Sequence, residues 1–266
     1  MTIIRYLLII CFLIQTNNSF SLNLVTDKQI EQEERIDSIR LDKILKNALD
    51  LVKHNIHSDN FLKEYDFYPD DSSYVAGIFL NIGFLFSKEN KHVLVRRTTP
   101  RGTFINLYVI KENKLKSVLY HEQCCMSYVD DTIMDINGDG FKDFLVHFYP
   151  ASGCCRRDVY KAYLNQSKDI TFTKSYVFIN PTFFSNEKII RGIEYGHPGE
   201  VGLYKFKWEG FKIDTIEYIY PDVNDKGYFI KTLKSIFRPT INDGIKISSV
   251  PKEYLNIKSY EWFINY

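Results

Sequence analysis

Hydrophobic residues follow two different spacings along the chain, and the first is helical. From Thr26 to about Ile56, apolar residues recur at steps of three and four among Glu, Arg, Lys and Asp. This spacing predicts an amphipathic helix, or two helices with a break near Asp37-Ser38. Thr26 and Gln29 have the spacing of a helix N-terminal cap. We expect the helix to pack on the domain that follows; a partner-binding or spacer helix is the alternative.

The second spacing begins after a polar stretch at residues 66–73 and is typical of strands. Short runs rich in Ile, Val, Phe, Tyr and Thr alternate with turn residues such as Glu112-Asn113 and Glu209-Gly210. Many short strands without intervening helices predict a mainly β, antiparallel fold: a sandwich, a barrel or a propeller. The predicted strands are residues 74–86, 92–98, 103–111, 115–121, 127–134, 144–149, 159–164, 170–179, 188–195, 202–208, 211–220 and 228–233.

The N-terminus has the pattern of a secretory signal peptide at residues 1–21. A basic start precedes an apolar run, and small Ser19 and Ser21 suit the recognition positions of a signal peptidase. The run is shorter than the roughly 20 residues that a membrane-spanning helix needs. An uncleaved interfacial anchor is the alternative, and bulky Ile10 argues against lipidation at Cys11. We therefore expect an exported protein, either periplasmic or secreted.

Charge and composition add little to this picture except exclusions. The chain has 34 Lys and Arg against 33 Asp and Glu, and loss of Arg5 with the signal peptide would make it formally neutral. This balance argues against nucleic-acid binding. Aromatic residues make up 15% of the chain and supply large side chains for a core. We expect a helical segment at residues 22–66 and a β-rich domain at residues 67–266, with no transmembrane segment after signal removal.

Candidate chemistry is concentrated in one nine-residue loop between two predicted strands. Side-chain oxygens stand at loop positions 1, 3, 5 and 9, and a backbone carbonyl is available at position 7. The residues concerned are Asp135, Asn137, Asp139, Asp143 and Phe141. Ca²⁺ takes six to eight oxygens at about 2.3–2.6 Å, and this spacing would wrap them around one point. We predict a structural Ca²⁺ site; a turn rich in Asn, Asp and Gly that holds no ion is the alternative.

The flanks of the loop distinguish it from an EF-hand. Position 12 is Val146 instead of the bidentate Glu, and strands replace the helices. The loop resembles the calcium loops of FG-GAP and VCBS repeats, found in integrin-type β-propellers, whose signature is D-x-D/N-x-D-G-x-x-D between strands. The resemblance covers nine residues and their flanks, and the FG-GAP dipeptides are not evident. It implies calcium binding and a β-propeller-like fold, with a β-sandwich or barrel as the alternative.

Four cysteines bracket this loop once Cys11 is removed with the signal peptide. A hairpin centred on Asp139-Gly140 would place Cys125 opposite Cys154 and Cys124 opposite Cys155. Antiparallel neighbours come within the range of a disulfide, and an exported chain favours disulfides over thiols. We predict one or two disulfides at the base of the hairpin. A vicinal ring and a zinc site are the alternatives.

The predicted function is a protein-binding module in the cell envelope or outside the cell. Exported β proteins with this loop look similar to propeller-like immunity proteins that inhibit peptidoglycan-degrading toxins, which implies a peptidoglycan hydrolase as partner. No catalytic residue is assigned. The alternative is an envelope carbohydrate hydrolase with a structural calcium ion, in which Asp130-Asp131 pairs with Glu122 or Glu194. A surface protein with no dedicated partner is the third reading.

Overall fold

The computed structural model describes residues 27–70, 73–151, 153, 155, 157–166 and 170–264. The predicted signal peptide, the predicted cap at Thr26, Cys154 and Arg156 lie outside these residues. The chain divides into two units, Met1–Lys43 and Ile44–Tyr266. Within the residues described, no helix combines the length and the apolar composition that crossing a membrane requires.

The predicted N-terminal helix is confirmed as one continuous element. Helix α1 spans Asp27–His54 and has no break at Asp37-Ser38. In the part that belongs to the second unit, Ile44, Ala48 and Val52 are buried, at the four-residue spacing of one helix face.

Fifteen strands follow α1 in the described chain. They are β1 Phe61–Phe67, β2 Ala76–Gly83, β3 His92–Thr99, β4 Gly102–Lys111, β5 Lys114–Gln123, β6 Met126–Met134, β7 Asp143–Pro150, β8 Val159–Tyr163, β9 Tyr176–Ile179, β10 Pro181–Phe184, β11 Ile189–Ile193, β12 Leu203–Glu209, β13 Lys212–Pro221, β14 Phe229–Thr232 and β15 Ile245–Ile247. A short helix α2, Tyr260–Ile264, follows them.

Every predicted strand is found, although only the last four residues of the predicted strand at 170–179 form a strand, β9. Three strands were not predicted: β1, β10 and β15. Strand β1 lies inside the predicted helical segment 22–66, so the β structure begins earlier than residue 67. These three strands each have only one neighbouring strand, and most of their residues are not buried, which removes the hydrophobic alternation that identifies a strand.

The strands form three antiparallel sheets, each a meander in which every strand pairs with the next. Sheet 1 contains β1 to β5, sheet 2 contains β6 to β9, and sheet 3 contains β10 to β15. The predicted turn at Glu112-Asn113 is confirmed: both residues have positive φ, 52° and 60°, and connect the paired Lys111 and Lys114. Among the described strands no sheet closes into a barrel.

Sheet 2 lies between the other two sheets, because its side chains alternate between two cores. On one face, Phe144, Val146 and Phe148 of β7 join a cluster with Leu94 and Ile105 of sheet 1. The opposite face forms a second cluster with sheet 3, whose buried members are Ile136, Leu145, Ala162, Leu164, Phe178, Ile190, Tyr204 and Trp208. Strand β7 is therefore buried on both faces, which explains its continuous apolar run.

The far face of sheet 3 is covered by the C-terminal segment. Leu203 and Ile219 of the sheet contact Tyr254, Ile257 and Phe263 in a third buried cluster. The Tyr254 hydroxyl donates a hydrogen bond of 2.9 Å to Glu217 in this core. Sheet 3 therefore has buried apolar side chains on both faces, in one cluster with sheet 2 and in another with the C-terminal segment.

Candidate functional site

The acidic loop connects β6 to β7, as predicted. The last pair of the hairpin ladder joins Met134 to Asp143, so residues 135–142 form the loop. Its second residue, Ile136, is fully buried in the cluster between sheets 2 and 3. Ile136 therefore anchors the loop in the core, directly after the first polar residue of the loop.

The first three oxygen-bearing residues of the loop accept hydrogen bonds from the loop backbone. Asp135 accepts from the Gly138 N–H at 2.7 Å and from the Gly140 N–H at 2.8 Å. Asn137 Oδ1 accepts from the Asp139 N–H at 3.2 Å, and its amide donates to Asp139 Oδ2 at 3.0 Å. The backbone is thus wound around the side chains that the sequence predicts as ligands.

Two glycines in this loop have backbone conformations that disfavour other residues. Gly138 has φ 72° and Gly140 has φ 87°. A Cβ atom on Gly138 would come into hard contact with the Ser185 carbonyl oxygen, whereas one on Gly140 would meet open space. Gly138 therefore serves two needs, the turn and the close approach of the segment before β11.

Asp143 is the anchor of the loop. Its side chain is fully buried, and its carboxylate accepts the Ile136 N–H and the Asn165 N–H, each at 2.9 Å. Burial raises the pKa of Asp143 to about 7, and the charges of Asp139 and Asp135 add to the rise against the two backbone hydrogen bonds. The charges of Asp135 and Asp139 thus exert a repulsion on the ionised Asp143 carboxylate.

The donor set fits a hard cation in composition. It offers only oxygens, and in the described chain none of the three carboxylates has an ion pair with Lys, Arg or His. A divalent cation would relieve this repulsion. Among the residues described, however, no three His, Cys, Asp or Glu side chains are gathered tightly enough to enclose a metal ion. The carboxylates instead point at backbone N–H groups.

The acidic residues considered for a hydrolase have separate partners. Asp131 is held by the Arg96 guanidinium and the Tyr128 hydroxyl. Glu122 accepts the Tyr120 hydroxyl at 2.8 Å on sheet 1. Of these contacts, none joins the residues of the proposed catalytic pair to each other.

The register of the β6–β7 hairpin differs from the prediction. Met134 pairs with Asp143, and beyond a bulge near Tyr128 the ladder continues to Met126 opposite Pro150. The predicted register, centred on Asp139-Gly140, was wrong because the loop closes earlier on its β7 side and the bulge adds one residue to β6. The ladder ends at Met126 and Pro150, before Cys125 and the cysteines that follow β7, so the predicted disulfides stay a prediction.

The described cysteines lie in two different places. Cys124 and Cys125 are exposed and form the turn from sheet 1 to sheet 2, with Cys125 at φ 64°. Cys155 is buried, and its Sγ lies 3.6 Å from His197 Nδ1. The proposed partner of Cys125, Cys154, lies outside the described residues.

Sequence reasoning assigned Glu194 only as half of a hydrolase pair and did not find the cavity around it. This cavity of about 450 Å³ lies between β9 and the inner face of sheet 3. Its aromatic lining comes largely from alternate residues of β12 and β13, namely Tyr204, Phe206, Tyr218 and Tyr220. The alternation of aromatic residues along these strands was the available signal.

Comparisons with family models, with curated proteins and with solved structures give no match to this chain.

Proposed function

We propose that this protein is an exported calcium-binding β protein that acts as a protein-binding module, with the ion stiffening the β6–β7 hairpin. The observation that carries the proposal is the acidic loop itself. Asp135, Asp139 and Asp143 lie within nine consecutive residues, and among the described residues none of them has an ion pair with Lys, Arg or His. A bound Ca²⁺ would neutralise them and crosslink the loop to the buried end of β7.

The ligands of this ion would be Asp135, Asn137, Asp139, Asp143 and the carbonyl of Phe141. Asp135 and Asp139 are bonded by backbone N–H groups that already hold the side chains inside the loop. Binding requires the exposed Asp139 to turn toward the ion, while the buried Asp143 stays in place. The ion is structural: it fixes the loop and takes part in no reaction step.

A propeller-like arrangement is the finer fold that we propose. Three features support it: the sheets are meanders, they follow one another in sequence, and sheet 2 packs a neighbour on each face. Successive blades of a propeller have the same relation. A sandwich-like stack of the same three sheets is the alternative, and a solution measurement of shape by small-angle scattering distinguishes a curved from a straight stack.

Calcium binding is tested by thermal unfolding with Ca²⁺ and with chelator. At a hundredfold excess over Kd, binding to the native state stabilises it by about 2.7 kcal/mol. We expect Ca²⁺ to raise the melting temperature of wild type and of Asp214→Ala. The Asp214→Ala control removes an exposed carboxylate of sheet 3. We expect no shift in Asp139→Ala. No shift in wild type, or an equal shift in Asp139→Ala, would contradict the site.

Disulfides among Cys124, Cys125, Cys154 and Cys155 remain part of the proposal. Three of these residues lie near the ends of β6 and β7, where a crosslink would close the base of the hairpin. Intact mass after alkylation, with and without reductant, counts the thiols. Four alkylated cysteines in the unreduced mature protein would rule the disulfides out.

The partner is proposed to be a peptidoglycan hydrolase of the envelope, which this protein would inhibit. The test is affinity capture from envelope extract with Ca²⁺ and with chelator, followed by assay of the captured protein on peptidoglycan. We expect a hydrolase whose rate falls when wild-type protein and Ca²⁺ are added, and falls less with Asp139→Ala. A captured hydrolase that is not inhibited would contradict the inhibitor proposal.

A further inference from the structure

The cavity beside sheet 3 has the size of a ligand site. Its volume of about 450 Å³ lies within the usual range for small-molecule pockets, about 300–1,000 Å³. Its mouth is marked by apolar side chains that face solvent: Val177 is 58% exposed, Tyr195 44% and Phe237 77%. The interior is formed by β12, β13 and the edge strand β9. Nothing in the calcium proposal uses these residues.

Four aromatic rings form a continuous row along the wall of the cavity. Tyr204 stacks on Phe206 with centroids 4.6 Å apart, and Phe206 meets Tyr218 edge to face at 5.9 Å. Tyr218 is in turn stacked on Tyr220 at 6.2 Å. An aromatic ring attracts a cation that lies over its face, so a lining rich in aromatic rings suits a cationic ligand.

Two glycines of sheet 3 make room for these rings. A Cβ on Gly192 would run into the Tyr204 ring, and a Cβ on Gly202 would strike the Tyr220 ring and lie 2.7 Å from Glu194 Oε2. The Tyr204 hydroxyl also donates a hydrogen bond of 2.7 Å to the Ile179 carbonyl, which links β12 to β9. The two glycines and this hydrogen bond therefore hold the rings that form the wall of the cavity.

Two carboxylates, Glu194 and Glu200, belong to this lining, and Glu194 is the one without an ion pair among the described residues. Glu194 accepts a hydrogen bond of 2.6 Å from the Ser235 hydroxyl. Burial raises the pKa of Tyr204, Tyr218 and Tyr220, and the negative charge of Glu194 contributes to the rise in each. The carboxylate therefore acts on the rings around it as an uncompensated negative charge.

The other charged groups at the rim are already paired or stacked. Glu200 forms an ion pair of 2.6 Å with Arg238. The Arg157 guanidinium lies over the Tyr195 ring at 5.0 Å, so one ring of the lining already binds a cation of this chain. Among the described residues, Glu194 therefore keeps hydrogen bonding from Ser235 but has no cationic partner.

We propose that this cavity binds an organic cation of the ammonium type, held by the Glu194 carboxylate and the faces of the aromatic row. The ammonium group could be carried by a free small molecule or by a lysine side chain of a partner protein, since both present the same chemistry. The site goes beyond the calcium-dependent function and does not depend on it.

The test compares cations with neutral molecules of the same shape, by calorimetry or by NMR titration of the whole protein. The pairs are choline with 3,3-dimethylbutan-1-ol, and butylammonium with butan-1-ol. We expect the cation of at least one pair to bind about tenfold more tightly than its neutral counterpart. Preference for butylammonium would indicate a lysine side chain, and preference for choline a quaternary small molecule; either result supports the proposal.

Matched variants locate the site. Glu194→Gln keeps an acceptor for Ser235 and removes the charge, so the tenfold preference should disappear. Glu122→Gln makes the same change on sheet 1 and should leave it intact, as should Asp139→Ala in the calcium loop, which separates this proposal from the other. Tyr218→Phe keeps the ring and should retain binding, whereas Tyr218→Leu should weaken it.

Two results would overturn the proposal. One is equal affinity of wild type for the cations and their neutral counterparts, which needs no variant. The other is a tenfold preference that survives in Glu194→Gln with unchanged thermal unfolding.

Discussion

The β6–β7 loop and the aromatic cavity each contain carboxylates that have no ion pair among the described residues, but they are assembled in opposite ways. The loop takes its carboxylates from nine consecutive residues, and the backbone of the same turn donates to them. The cavity draws on residues from β9 to Phe237, brought together by two sheets. One site is local in sequence, and the other is a product of packing.

The difference determines which cation each site suits. The loop presents oxygens alone, which favours a small, hard ion. The cavity presents a carboxylate with no ion pair among the described residues, Glu194, beside aromatic rings, which favours a larger cation with a low charge density. Local turns gather hard ligands, whereas stacked sheets gather aromatic surfaces. The two sites should therefore respond to different ions and tolerate different substitutions.

The largest effect that separates them is expected from Asp143→Ala. In chelator this change leaves the buried N–H groups of Ile136 and Asn165 without their acceptor, at about 1–3 kcal/mol each. We expect a total loss of about 4 kcal/mol in urea unfolding. Asp139→Ala, at an exposed position, should cost much less. Equal costs for the two variants would show that Asp143 is not the anchor of the loop.

A pH effect of similar origin is expected next. Asp143 has a folded pKa of about 7, above the unfolded value of about 3.9, so the folded state retains a proton that the unfolded state has lost. The Asp143 carboxyl group therefore contributes stability below pH 4. This contribution, on the order of 3 kcal/mol, is lost as the pH rises to 7.

The measurement is the difference between wild type and Asp143→Asn in chelator from pH 4 to pH 8. Burial lowers the pKa of His92 and His121 to about 4, so these groups titrate in the opposite sense and cancel in the difference. Saturating Ca²⁺ should flatten the curve, because the ion keeps Asp143 ionised. A wild-type curve parallel to that of Asp143→Asn would refute the prediction.

The two loop glycines offer a smaller, paired test. Both have positive φ, so alanine at either costs about 1 kcal/mol. Gly138→Ala adds a clash with the Ser185 carbonyl, and we expect a total of about 3 kcal/mol against about 1 kcal/mol for Gly140→Ala. Unfolding in urea with chelator measures both. If the two variants are equally stable, the loop does not contact the segment before β11.

The smallest effect on stability is expected in the cavity. Glu194→Gln keeps the hydrogen bond to Ser235 and breaks no ion pair among the described residues. The free energy of unfolding should therefore change by less than about 1 kcal/mol. Thermal unfolding measures this directly. A much larger loss would mean that Glu194 supports the fold and would weaken the contrast between a structural loop and a binding cavity.

Much of the fold could be predicted from the sequence, because the spacing of apolar residues indicates which positions of an element are buried. The four-residue spacing of Ile44, Ala48 and Val52 places them on one face of α1. Apolar runs such as that of β7 identify strands buried on both faces. The pattern fails for β1, where none of the seven residues is buried: four are exposed and three are half-buried. This strand is placed by its pairing with β2.

The candidate loop was also visible in the sequence, but its register was not. Asp135, Asn137 and Asp139 form hydrogen bonds within the turn. Such local hydrogen bonds can be predicted from the sequence, because donor and acceptor are only a few residues apart. The register depends on the bulge near Tyr128, which arises from how β6 meets β7 and the sheets beside it. The ladder ends at Met126 opposite Pro150, before the cysteines, so their pairing stays a prediction.

The sequence by itself determined the class of fold, the strands with buried faces and the concentration of oxygens between Asp135 and Asp143. These properties depend on residues within a few positions of one another. The tertiary structure alone decided that sheet 2 lies between two neighbours, that Asp143 is buried near the charges of Asp135 and Asp139, and that Glu194 lines a cavity together with four aromatic rings. Those outcomes depend on contacts between distant segments, which no local spacing encodes.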